Sequence, residues 1–144
     1  MSSRRKSREC ALQMLFQGEF NHYEPSKISG IFWSLYPADP ETRGFAQLLF
    51  DRVNEHRDEI DQRIRRHAQH WRLERMAGVD RNVLRLAIAE LLYCDTPEAV
   101  VIDEAVEIAR RFSARESSDF VNGILDSVMR EIKEEAETPS STVP

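Results

Sequence analysis

The chain has 144 residues, 41% of them hydrophobic and 31% charged, with a formal net charge of -5. That balance supports a buried core and lies outside the disordered class, and no apolar run approaches the ~20 residues of a membrane span. The basic N-terminus lacks the apolar stretch of a secretory signal, so a cytoplasmic location and no membrane partner are expected. Cys10 and Cys94 stand alone, without the paired spacing of a zinc site or a disulfide framework, and read as reduced, buried thiols.

Charge is distributed unevenly. Arg4, Arg5, Lys6 and Arg8 crowd the first eight residues, whereas Glu131, Glu134, Glu135 and Glu137 crowd the other end. Such asymmetry points to a localised nucleic-acid site on an otherwise acidic protein.

Helical periodicity dominates, and no stretch shows the strict alternation of a half-buried strand. Ala11, Leu12, Leu15, Phe16 and Phe20 form the apolar face of a first helix that begins in the basic cluster. Arg4, Arg5 and Arg8 then sit about one turn apart as a row of guanidinium forks for phosphates and bases, with Gln13 and Phe16 as candidate extensions. Phe16 serves equally as core. Asn21 to Ser26 reads as a turn, and Ile28, Ile31, Phe32 and Leu35 mark a short second helix ended by Pro37. Asp39 followed by Pro40 is an N-cap with proline at the first helical position. A single long helix follows through about residue 70, carried by Phe45, Leu49, Val53, Ile60, Ile64, Ala68 and Trp71.

Gly78 marks the boundary between two three-helix halves. Past it, Val79, Asp80 and Leu84 suggest a hydrophobic staple around an acidic N-cap, with Val83, Ala87, Ile88, Leu91 and Leu92 along one face. Cys94 to Pro97 ends that helix, and Thr96 and Pro97 start another whose core face is Ile102, Ala105, Ala109 and Phe112. After a polar turn from Ser113 to Ser118, the last helix runs on Phe120, Val121, Ile124, Leu125, Val128, Met129 and Ile132. The expected organisation is one helical domain over 1–136, with halves at about 4–77 and 79–134 and a disordered tail over 137–144.

No catalytic constellation emerges: there is no strained nucleophile elbow and no glycine-rich phosphate loop. His67 and His70 share a helical face, with His56 eleven residues before His67, but the flanking glutamate of a zinc motif is missing, so neither metal nor cofactor is expected. Asp103 and Glu107 read as solvated helix charges, and Glu107 with Arg110 or Arg111 as an exposed ion pair worth only ~0.3 kcal/mol.

Three blocks resemble the NusB antitermination factors: the opening from Arg4 to Gln13, the helix from Val79 to Leu91, and Val101 to Phe112 followed by Phe120 to Asp126. The resemblance implies an all-α fold of two three-helix halves packed roughly perpendicular. It implies a non-enzymatic factor that binds the boxA element of nascent ribosomal RNA, as single strand, together with NusE, the small-subunit ribosomal protein S-ten. Processive ribosomal RNA transcription by the RNA polymerase antitermination complex is the implied outcome. By the same resemblance RNA meets Arg4, Arg5, Lys6, Arg8 and the region of Phe112, Glu116 and Phe120, while NusE docks on the C-terminal half at Asp80, Arg81 and Asn122. Ser113, Glu116 and Asp103 depart from residues common in the family, namely glycine, aspartate and asparagine. Two alternatives stand beside this: a helical protein-interaction module with no RNA role, and a relative of the NusB-like domains that front ribosomal RNA cytosine methyltransferases. A chain ending at Pro144 is expected to have no room for the sheet of such an enzyme. Phe112 and Phe120 read either as rings packing across the turn between the last two helices or as a contact surface for bases.

Overall fold

Among residues 3–138, which the computed structural model describes, the backbone forms seven α-helices and no strand. They are α1 (Ser3–Gly18), α2 (Pro25–Leu35), α3 (Pro40–Glu55), α4 (Arg57–His67), α5 (Gly78–Tyr93), α6 (Glu98–Phe112) and α7 (Ser117–Glu137), with a 3-10 turn at Leu73–Arg75. Of the tail expected at 137–144, residues 139–144 lie outside the described residues, and Glu137 still belongs to α7.

Several helix limits follow from local chemistry. Asp39 caps α3 by accepting from the Thr42 backbone N–H at 2.9 Å, ahead of Pro40, whose missing N–H costs nothing in a first turn. Pro25 opens α2 in the same way, so part of the expected turn is already helix. The long helix expected through residue 70 is interrupted instead. The Asn54 side chain donates to the Phe50 carbonyl at 2.8 Å, competing with the helical ladder, and His56 leaves helical geometry to stack on Tyr93 with ring centroids 4.4 Å apart. The N-terminal portion therefore holds four helices rather than three.

Helix α5 is the axis. Every residue from Asn82 to Glu90 is buried, because α1, α3, α4, α6 and α7 all pack on it. One contiguous apolar cluster runs from Met14 and Leu15 through Leu49, Phe50, Ile60 and Ile64 to Leu84, Ile88, Ile108 and Leu125. Five expected apolar-face residues are exposed outside it: Phe20, Leu35, Trp71 and Phe112 at a helix end or in a connection, and Ile31 on the outer side of α2. Asp80 is not the cap of α5. Ala77 holds that position, and Asp80 lies in the first turn, buried and accepting from Ser117 Oγ at 2.8 Å. Gly78 is required by close packing, since a Cβ there would lie 2.9 Å from the Phe16 ring.

Ion pairs tie the helices together. Arg8 and Glu90 form a bidentate pair at 2.8 and 2.6 Å, both fully interior. Asp61 takes both arms of Arg85 at 2.8 and 3.0 Å, and Glu19 holds Arg81 at 2.7 and 2.6 Å. Glu131 of α7 collects Arg63, Arg66 and His67 of α4, and the hydrogen bond from Arg66 above all holds its carboxyl pKa at about 2, far below the ordinary carboxylate range.

Two outcomes are expected. Arg8→Met should lower unfolding free energy by about 3 kcal/mol or more, because Glu90 is left buried and unpaired, and Arg8→Met with Glu90→Leu should recover much of it; urea titration of the three proteins checks this. The Glu131 contribution should be complete above pH 4.5 and vanish as pH falls toward 2. Melting temperatures of wild type and Glu131→Gln should accordingly converge across that acid window.

Candidate nucleic-acid interface

The opening cations of α1 do not form a row. Successive side chains on a helix are separated by about 100°, so they fan toward different neighbours. Arg4 lies over the Phe45 ring of α3 at 3.7 Å. Arg5 reaches Glu104 of α6 in a bidentate pair at 3.0 Å. Arg8 is committed to Glu90 in the core, which corrects the expectation that its fork faces RNA. Lys6 points outward and is exposed.

A second stripe of α1 makes a better surface. Lys6, Glu9, Gln13, Phe16 and Gln17 recur at three- and four-residue steps and share one face. Across from it, α6 ends in Arg110, Arg111 and Phe112, cations placed where the helix dipole favours them. Glu9 accepts from Arg111 Nη1 at 2.9 Å, and the Arg111 guanidinium lies 5.1 Å from the Phe112 ring centroid. Between the two helices a groove of about 240 Å³ is lined by Leu12, Gln13, Phe16, Gln17, Val79 and Phe112. Phe112 is 45% exposed, so its face is open to a flat partner.

Phe120 belongs to a different depression. Its ring meets Trp71 edge-on at 5.6 Å, and a cavity of about 300 Å³ joins them to Arg75, Met76, Asp80, Glu116 and Ser117. The two phenylalanines thus line separate hollows on either side of the α6–α7 turn rather than one shared contact. Glu116 is exposed beside Phe120, and Asn122 is exposed about half a turn past Phe120, on the other side of α7. Arg81 is held by Glu19 and by the carbonyls of Leu73 and Met76. Asp80 carries one carboxylate oxygen, Oδ1, that is buried with no hydrogen-bond partner among the described residues.

The structure therefore brings Gln13 to Phe112, and Asp80 to Glu116 and Phe120, while dispersing Arg4, Arg5 and Arg8. Arg110 and Arg111 escaped sequence reasoning as interface residues although the run Arg110-Arg111-Phe112 was a usable signal, a basic pair against an aromatic. Trp71 escaped because its spacing matched the core stripe of α4. His56, His67 and His70 do not converge: one stacks on Tyr93, one binds Glu131, and His70 is exposed. Among the described residues no three His, Cys, Asp or Glu side chains are grouped to hold a metal, and no helix is long and apolar enough to cross a membrane.

The model of the NusB family matches residues 5–130. The transcription antitermination protein NusB of Koribacter versatilis is 49% identical over 140 residues, 96% of each chain. That of Myxococcus xanthus is 48% identical over 133 residues, covering 89% of this chain and 95% of its own. Among solved structures, T. maritima NusB superposes with a TM-score of 0.82 at 39% identity, covering 94% of this chain and 97% of its own. A crystal structure of the antitermination factors NusB and NusE in complex with double-stranded RNA superposes with a TM-score of 0.82 at 25% identity, covering 91% and 98%.

Proposed function

This chain belongs to the NusB family, and from that premise we propose that it is a non-enzymatic transcription antitermination factor that binds RNA together with NusE. The RNA is the boxA element of nascent ribosomal transcripts, and the setting is the RNA polymerase antitermination complex in the cytoplasm. The observation that carries the RNA assignment is the groove between α1 and α6, where Gln13 and the Arg111–Glu9 pair lie beside the half-exposed Phe112 ring, with Lys6 exposed one turn before Glu9 on α1. Cations there neutralise phosphates, an amide reads base edges and a ring accepts a stacked base, a combination suited to single-stranded RNA. Arg4 lies at the N-terminal end of α1 and extends the positive field there; Arg5, neutralised by Glu104, and Arg8, by Glu90, contribute by holding the helix.

NusE docking falls on the neighbouring depression. Trp71 and Phe120 supply apolar area and the unpartnered oxygen of Asp80 awaits a donor, whereas Arg81 and Asn122 do not line the depression. A buried acceptor without a partner costs roughly 1–3 kcal/mol, and a partner N–H would recover that. In the antitermination complex solved for relatives, NusB and NusE occur together with RNA.

The test is a titration of boxA-type RNA at several salt concentrations, with and without NusE. Three or four neutralised phosphates give a slope of roughly -2 to -3 in log affinity against log salt for single strands. Replacing Lys6, Arg110 and Arg111 by Gln should flatten the slope by about two units, and Phe112→Ala should cost about 1–3 kcal/mol of binding with little loss of melting temperature. An unchanged slope in the triple variant places the RNA elsewhere. Glu116→Gln is expected to tighten RNA binding most at low salt, where repulsion of a polyanion by an exposed carboxylate is least screened; equal affinities at low salt remove Glu116 from the RNA path.

A further inference from the structure

On the side of α5 away from the α6 groove, the end of α1, the start of α2, the α3–α4 break and the 3-10 turn enclose a cleft of about 560 Å³. Its lining contains four arginines (Arg57, Arg65, Arg81, Arg85) against three carboxylates (Glu19, Asp61, Glu74). Three of those arginines have their own counter-charge. Arg81 pairs with Glu19 at 2.6 Å, Arg85 with Asp61 at 2.8 Å and Arg65 with Glu74 at 2.9 Å. Arg57 is the exception: its one hydrogen bond is to the neutral Asn54 Oδ1 at 3.2 Å, and among the described residues no carboxylate pairs with it. Partial burial and the nearby charges of Arg85 and Arg81 disfavour its cationic form and outweigh the attraction of Asp61 and Glu19, pulling its pKa below the ordinary arginine value.

Arginine does not give up its proton in proteins, so a partly buried guanidinium whose hydrogen bond is to an amide, with Asp61 and Glu19 nearby but committed to Arg85 and Arg81, stays charged and costs free energy. The cheapest remedy is an anion. Arg57 opens α4 beside the break at His56, so its planar fork enters the cleft with donors to spare and a geometry that matches an oxyanion edge. We propose that this cleft binds a small multivalent oxyanion, a phosphate compound or a polycarboxylate, on the Arg57 guanidinium with the Asn54 side chain beside it. The site is separate from the α1–α6 groove and from the Trp71–Phe120 depression, and it offers a route by which a solute stabilises the α3–α4 break.

Isothermal titration and thermal melts of the full chain, at constant ionic strength in chloride, test this with inorganic pyrophosphate and with citrate. One saturable site is expected for at least one of them, with a rise in melting temperature of several degrees at large excess; which of the two binds names the source of the oxyanion. Arg57→Met should abolish both effects while leaving the melting temperature in chloride unchanged or higher. Arg57→Lys, which keeps the charge and loses the fork, should bind several-fold more weakly and serves if the Met variant does not fold. The Lys6→Gln/Arg111→Gln protein should titrate like wild type. Binding of neither anion, equal binding by the Arg57 variants, or loss in the Lys6/Arg111 variant instead, each overturns the assignment.

Discussion

A single ion pair sets the frame. Arg8 enters the interior from α1 and meets Glu90 on α5 with two parallel hydrogen bonds, both partners shut off from water. Two parallel bonds between planar groups fix the rotation of α1 about its own axis as well as its distance from α5. Desolvation makes such a pair costly to form, so its value lies in specifying one arrangement more than in net stability. Once α1 is rotationally locked, Arg5 meets Glu104, Arg4 lies on Phe45, and the stripe from Lys6 to Gln17 is the one left facing out.

The remaining charge networks explain how an acidic protein presents a basic edge. Glu19, Asp61, Glu90, Glu104 and Glu131 are consumed by arginines from other helices, tying α1 to α5 and α6, α4 to α5, and α4 to α7. Much of the negative charge is thus neutralised locally in cross-helix pairs. What solvent sees at the α1–α6 edge is Lys6 beside Arg110 and Arg111, which pair with Glu107 and Glu9, so these five groups sum to one positive charge and the sign of the local field there differs from that of the whole chain.

Much of the helical layout was legible from periodicity and punctuation. Asp39 with Pro40, the break at Cys94 to Pro97 and the faces of α5 and α7 follow from residues a few positions apart. Fate in the fold was less legible wherever it depended on distant partners. Nothing near Arg8 distinguishes it from Arg4; the difference is Glu90, eighty-two positions away. Trp71 continues the spacing of Ile60, Ile64 and Ala68 faultlessly, yet α4 has already ended at His67 and the ring turns outward to Phe120. The interruption at His56 depends on a side chain bonding its own helix and on a ring supplied by α5, neither of which hydrophobic spacing records. Of the candidate interface, Gln13 and Phe112 were each visible as residues, but their meeting in one groove is a fact of tertiary packing.

The contact between Gly78 and Phe16 carries a consequence for relatives of this chain. A methyl group at position 78 would sit 2.9 Å from the aromatic ring, well inside van der Waals distance, and Glu19 stands at 3.0 Å on the other side. Space at that crossing of α1 and α5 is therefore shared between two positions sixty-two residues apart. Across descendants of a common ancestor, a larger side chain at 78 has to arrive with a smaller or re-aimed one at 16, so the two columns should covary. Because Phe16 also walls the α1–α6 groove, drift at this backbone crossing would remodel the shape offered to a ligand, linking the evolution of packing to that of recognition.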